Sequence, residues 1–277
     1  MLTHDLMNTF TKAIRSLKAV FRYGIKPIIS RRLALRNSRI IQKLYDGDQQ
    51  VYSSQFQQDQ FFDIVLFSKN VGGVFIDIGA HDGVTGSNSY FLEKTRGWTG
   101  VCFEPNPKLF EVCAGNRVCR CENFCITKES GTYNFAILPG SCDVLGGIYE
   151  FFDSRHLKRV SECLQGEAEQ MKLIPIRGVN LTDYLKQSKI SKIDLLCVDV
   201  EGAELLVLDS VDFSQIVIEV ICVENNYHGD RLCGFLHEKG FDIVARLECD
   251  EVYCRKCSEA LLKFQSFLAH EPALRRV

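Results

Sequence analysis

The sequence contains no apolar run approaching the roughly 20 residues that a membrane-spanning helix needs. Its start also lacks a compact apolar stretch followed by a small-residue cleavage site. Neither insertion into a membrane nor classical secretion is expected, and a cytoplasmic setting is. Net charge is nearly absent too, at a formal −2 over 277 residues, so nothing global draws the chain to nucleic acid or to an acidic polymer. With 46% hydrophobic residues, one substantial core can form without disulfides or metals to hold it.

Cysteine, by contrast, is plentiful. There are 13, an odd number, and Cys102, Cys125, Cys197 and Cys222 lie inside apolar runs, where they read as small core hydrophobes in a reducing compartment. Cys119-x-Cys121-x3-Cys125 and Cys254-x2-Cys257 have spacings that zinc sites reuse, but each lacks a clean second pair, and no metal site is expected.

Acids are missing between Asp5 and Asp46, while ten lysines and arginines from Lys12 to Lys43 occupy that stretch. Within it Leu6, Phe10, Ile14, Leu17 and Phe21 recur at helical steps, which makes a basic amphipathic helix. Such a helix packs on a neighbouring domain, extends without order, contacts an anionic membrane surface through residues 6–23, or serves organelle targeting. The chain therefore divides into a leader, residues 1–50, a catalytic-size domain, residues 51–260, and a tail, residues 261–277.

From Gly72 onward short apolar runs alternate with helical stretches, the pattern of βαβ units and a parallel sheet. Strands are predicted at Gly73–Ala80, Thr99–Glu104, Asn123–Thr127, Ile193–Val200 and Gln215–Val223. Helices are predicted at Ser87–Arg96, Pro107–Gly115, Leu181–Gln187, Ala203–Leu208 and Arg231–Lys239. Phe241–Leu247 and Glu251–Arg255 close the domain as an antiparallel hairpin, which dehydrogenase-like sheets commonly lack. Thr132–Leu138 is extended, and residues 128–180 form an inserted, substrate-facing segment.

The run Asp77-Ile-Gly79-Ala-His81-Asp82-Gly83 is a buried strand entering a tight turn before a helix. Glycines let the backbone approach a ligand, and the free N–H groups of the helix start suit a carboxylate while Asp77 accepts from an ammonium group. The spacing is Gly-x3-Gly rather than the dinucleotide Gly-x-Gly-x2-Gly. Glu104 follows the next strand, 21 residues beyond Gly83, where a carboxylate can accept both hydroxyls of a ribose. Asp199-Val-Glu201-Gly202-Ala-Glu204 puts a third acidic strand end on the same sheet edge.

Taken together, Ser54-Gln55-x2-Gln58-Asp59, the Asp77–Gly83 run, Ser87-Asn88, Gly97-Trp98-x-Gly100, Glu104-Pro105 and Asp199–Glu204 resemble the FkbM-type methyltransferases over roughly residues 53–255. The resemblance implies an α/β, Rossmann-like class I methyltransferase fold. It implies S-adenosylmethionine as donor and a hydroxyl acceptor on a sugar, glycan or other small natural product. Asp77, Gly79, Ser87 and Asn88 would hold the methionine end and Glu104 the ribose, with Gln55, Gln58 and Asp59 covering the cofactor. Asp82, Gly83, Asn106 and Asp199 complete the expected cofactor set. Asp199, His81 and His228 are the alternatives for the base that removes the hydroxyl proton. The polar stretch Glu224–Asp230 would line the acceptor pocket, or with Asp199 offer oxygen ligands to a divalent ion; a plain polar loop is the simpler reading. Three other functions compete: an NAD-dependent oxidoreductase, an RNA methyltransferase whose leader contacts phosphates, and a non-catalytic membrane-surface adaptor. The first is opposed by the glycine spacing and hairpin, the second by the lack of a basic stripe in the body, and the third by the intact motif acids.

Overall fold

The computed structural model of the chain describes residues 52–167, 170–226 and 229–270. The basic leader, including residues 6–23 weighed above for membrane contact, His228, and residues 271–277 lie outside the described residues.

The elements follow in chain order. A helical segment at Gln58–Phe61 (α1) continues as a π-turn over Phe62–Leu66. Then come β1 (Val74–Ile78), α2 (Tyr90–Arg96), β2 (Thr99–Phe103), α3 (Pro107–Asn116) and β3 (Arg120–Glu122). Next are β4 (Cys125–Ile126), β5 (Gly131–Ile137), β6 (Gly147–Ile148), α4 (Ser154–Cys163) and β7 (Lys172–Val179). The remainder is α5 (Leu181–Gln187), β8 (Lys192–Val198), α6 (Glu204–Asp209), β9 (Val217–Glu224), α7 (Asp230–Glu238), β10 (Phe241–Leu247), β11 (Asp250–Arg255) and α8 (Glu259–His270).

Seven strands form one sheet in the order β10-β11-β9-β8-β1-β2-β3. The five from β9 to β3 are parallel, and β11 runs antiparallel to both β9 and β10. This is the doubly wound, Rossmann-like arrangement with the closing hairpin anticipated from the sequence. Side chains alternate across it, because successive residues of a strand point to opposite faces. Ile76, Ile78, Val101, Phe103, Leu196 and Val198 meet α5, α6 and α7 on one face. Phe75, Cys102, Leu195, Cys197, Val220 and Cys222 meet the α1 segment, α2, α3 and α8 on the other. Strands buried on both faces carry no polar side, which is why they read as continuous apolar runs.

Local signals set the helix ends. Asn106 caps α3 by accepting from the backbone N–H of Lys108 at 3.1 Å, and Pro107 opens the first turn where its missing N–H costs nothing. Gly97, at φ 65°, ends α2 in the left-handed conformation.

Several expectations need correction. The third strand of the large sheet is Arg120–Glu122, not Asn123–Thr127; Cys125 and Ile126 have crossed into a second, four-stranded sheet ordered β4-β7-β5-β6. That second sheet and α4 are the organised form of residues 128–180, and Lys172–Val179 is a strand the sequence pattern concealed. The segment set apart as a tail is, through His270, helix α8, with Ala260 and Phe264 in the core. Cys142 and Cys163 are joined in a disulfide inside a small cluster with Leu138, Leu145, Val160 and Leu164, so this pair departs from the reading of the cysteines mainly as core thiols in a reducing compartment. Among the described residues no helix is long and apolar enough to cross a membrane.

Candidate active site

The carboxyl ends of β1, β2, β8 and β9 open onto a cavity of about 660 Å³. Its far wall belongs to the inserted segment, through Phe135, Asp143, Val144, Ile148 and Arg159. Ligands of open α/β sheets bind at this edge because helix starts and strand ends leave unpaired backbone and carboxylates there.

The turn after β1 is built to bring two strand ends together. Gly79 has φ +89°, and a Cβ placed there would lie 1.8 Å from the Asp199 carbonyl oxygen, so no other residue fits. Asp82 ties the next turn by accepting from the N–H groups of Val84 (2.9 Å) and Thr85 (2.7 Å). Gly83, at φ +80°, packs against Arg117 and Cys113, where a Cβ would come within 2.9 Å of each.

Asp77 is buried and accepts from the Ser89 hydroxyl at 2.5 Å. Burial raises its pKa, an effect opposed by the Arg117 guanidinium 3.9 Å away and by Ser89. Arg117, whose side chain is wholly buried, also pairs with Glu93 at 2.6 Å and donates to the Gly83 carbonyl, the Ser87 hydroxyl and the Ser89 hydroxyl. This network fixes the loop on which Ser87 and Asn88 face the cavity. Asn88 Oδ1 is buried and accepts no hydrogen bond, so an acceptor waits there for a donor from the cleft.

Glu104 holds both carboxylate oxygens in place by accepting from the N–H of His81 and the N–H of Asn106, each at 2.8 Å. Burial pushes its pKa up to about 7. Each oxygen keeps a second lone pair, enough to accept a pair of vicinal hydroxyls.

At the other end of the cavity Asp199, Glu201 and Glu224 each bring a carboxylate oxygen within 4.8 Å of the others. Burial, then repulsion from neighbouring acids, pushes Glu224 up to about 8. Burial raises Glu201 to about 7 against the Arg159 guanidinium, which pairs with it at 2.8 Å. Asp199 lies deep in the cleft with its carboxylate open onto the cavity, and the protein around it, followed by Glu224, pushes its pKa well above the usual range. Asp250, behind this group, rises to about 6 through burial.

Of the residues singled out from sequence, Gln55, Asp77, Gly79, His81, Ser87, Asn88, Glu104, Asn106 and Asp199 line the cavity. Gln58, Asp59, Asp82 and Gly83 do not. Asp59 is fully buried and holds the backbone N–H groups of Ser53 (2.6 Å) and Ser54 (3.1 Å), while Gln58 donates to Asp250. They shape the wall from behind. His81 sits at the Glu104 end, 3.5 Å from Asp143, rather than among the acids around Asp199. Arg159, Asp143 and Phe135 were missed, since they come from a stretch without clear period; Arg117 and Ser89 were missed because nothing local marks a residue as the partner of a buried acid 40 or 12 positions away.

The profile of the methyltransferase FkbM domain matches residues 77–243, more than half of the chain. The chain belongs to the FkbM methyltransferase family. The matched stretch starts at Asp77, takes in the second sheet and the acidic group, and ends three residues into β10. Among solved structures, the FkbM methyltransferase of Methylobacillus flagellatus KT is similar at 10% identity and a TM-score of 0.42, over 70% of this chain and 47% of that one. This chain thus spans about half the length of that relative. The TehB-like SAM-dependent methyltransferase of Corynebacterium glutamicum matches at 10% identity and 0.36 over 83% of this chain and 100% of its own. The METTL16 MTase domain matches at 12% identity and 0.35, over 71% and 64%. No curated protein sequence matches the chain significantly.

Proposed function

We propose that this FkbM-family chain is an S-adenosylmethionine-dependent O-methyltransferase acting on a hydroxyl of a sugar, glycan or other small molecule. The observation that carries this reading is the gathering of carboxyls on the cavity wall. Asp77, Glu104, Asp199, Glu201 and Glu224 line it, and Arg159, the arginine among its described lining residues, is paired with Glu201. A donor bearing an ammonium and a sulfonium favours the ionised form of such carboxyls and is held by it, whereas a pyrophosphate or a nucleic-acid backbone opposes that ionisation. The same feature therefore weighs against the NAD and RNA readings.

The residues present fit the donor. Asp77 accepts from the ammonium, Ser87 and the unsatisfied Asn88 Oδ1 take the polar groups of the methionine end, and Glu104 accepts from the ribose hydroxyls. When bound, the donor supplies a methyl group already activated on a sulfonium. The protein's own task is to align an acceptor oxygen, exclude water and take up its proton. Asp199, with Glu201 and Glu224 beside it, is the base this reading favours over His81, because His81 sits at the Glu104 end of the cavity while burial and Glu224 raise the Asp199 carboxyl above the ordinary carboxylate range and make it the stronger base. Phe124, Phe135 and Ile148 offer the apolar surface on which a sugar face packs.

Calorimetric titration with S-adenosylmethionine, S-adenosylhomocysteine and NAD, with and without a divalent ion, tests the donor. Binding of the first two and not of NAD is expected; silence from both removes the enzyme reading. A radiolabelled-methyl screen over glycans and hydroxylated small molecules then tests the acceptor class.

A further inference from the structure

We propose that Cys102, Cys113, Cys119 and Cys121 form a tetrathiolate site for one structural zinc ion, outside the catalytic cavity. The four come from three elements: Cys102 from β2, Cys113 from α3, and Cys119 and Cys121 from the edge strand β3 and the residue before it. Cys102 and Cys121 are direct partners in the parallel register of β2 and β3. Two residues apart on an extended chain, Cys119 and Cys121 point to the same side. The last turn of α3 lowers Cys113 onto them.

Three of the four sulfurs are gathered as a site would hold them, and the fourth, that of Cys119, adjoins Cys102 and would move onto the ion as it binds. A Zn–S bond of roughly 2.3 Å sets a sulfur-to-sulfur edge of about 3.8 Å in a tetrahedral site. Cys102 Sγ lies 3.6 Å from Cys119 Sγ, and Cys113 Sγ lies 3.8 Å from Cys121 Sγ. The sulfurs of Cys102, Cys113 and Cys121 are all within 4.8 Å of one another. Two independent disulfides would call for two separated pairs rather than one nest, and these thiols are unbonded in a structure that does join Cys142 to Cys163. Cys102 and Cys113 are fully buried while Cys119 and Cys121 are partly exposed, so the ion has a closed floor and an entry at the sheet edge. The Cys-x-Cys-x3-Cys pattern of the sequence hinted at such a site but named the wrong third ligand: Cys125 lies in the second sheet. Cys254 is core and Cys257 exposed, and they join no ligand group among the described residues.

The site gives the fold something it needs. β3 is a three-residue edge strand with one neighbour, and a metal clamp ties it and α3 to β2. Cys113 Sγ also lies against Gly83, so the clamp braces the floor of the turn that leads to Ser87 and Asn88.

Elemental analysis of the full chain purified under reducing conditions should find about one zinc per chain retained through dialysis, as a closed four-thiolate site predicts. Titrating the metal-stripped, reduced chain with Co2+ should give an intense thiolate-to-cobalt charge-transfer band at about one equivalent. The Cys113→Ser/Cys121→Ser variant should lose the band, and the Cys257→Ser control should keep it. The cobalt titration on the unmodified chain keeps the test meaningful if the double variant fails to fold. A natively folded chain that shows no charge-transfer band, or a non-reduced digest containing a Cys102–Cys119 or Cys113–Cys121 disulfide, would overturn the site.

Discussion

Glu104→Gln is the most informative single change in the cavity. The carboxylate accepts from the N–H groups of His81 and Asn106 at 2.8 Å each and is buried, so it is ordered before any ligand arrives. Glutamine keeps the shape but has one acceptor oxygen instead of two, and its amide must turn its own N–H toward one of those backbone donors. A charge-assisted hydrogen bond to a ribose hydroxyl is worth about 1.5–3 kcal/mol, so the dissociation constant for S-adenosylmethionine should rise by about 10- to 150-fold. The pKa of about 7 adds a second signature. The wild-type affinity should strengthen as pH rises from 6 to 8, because the carboxylate passes from about one-tenth to about nine-tenths ionised over that interval. Calorimetry at both pH values, with thermal denaturation to confirm folding, measures both effects. Unchanged affinity in a folded variant, or an equally steep pH dependence in it, would refute the ribose role.

Four further outcomes follow from the structure. Methyl transfer should increase with pH through about 7–8, as Glu201 and Glu224 lose protons and leave Asp199 with ionised neighbours, and Glu224→Gln should flatten that rise in initial-rate profiles. Because those two carboxyls bind protons more tightly folded than unfolded, their contribution to stability is complete below pH of about 4.5 and is lost as pH climbs through their folded values, so the ligand-free melting temperature should fall between pH 5 and 8 and fall less in Glu224→Gln. Arg117→Met leaves Glu93 and Asp77 buried without their cation; a loss of about 3–5 kcal/mol, or roughly 6–20 °C in melting temperature, is expected by calorimetry. Reducing the Cys142–Cys163 bridge, whose residues are 21 apart, should cost about 3 kcal/mol in denaturant unfolding while leaving donor binding at the Asp77 end intact.

The sequence by itself determined the large sheet and the acids at its edge. Strands buried on both faces must be apolar throughout, so β1, β2, β8 and β9 stand out without any knowledge of their neighbours, and a strand that ends in Asp77, Glu104 or Asp199 announces where its carboxylate emerges. The closing hairpin was legible as two β-branched and aromatic runs on either side of a short acidic turn. Only tertiary structure could decide what those acids face. Glu201 and Glu224 act as a group with Asp199 because β8 and β9 are adjacent in space, and Arg159 reaches Glu201 from helix α4, 42 residues earlier, in an insertion without a clear period in sequence. Gln58, Asp59 and Asp82 carry the same motif letters as their neighbours, yet side-chain direction turns them to the wall rather than the cavity, and Gly83 packs behind it against Arg117 and Cys113. The four-cysteine nest is the clearest case: Cys102 and Cys113 are spaced like ordinary core residues, and only the parallel register of β2 with β3 and the packing of α3 beside them bring the two to Cys119 and Cys121.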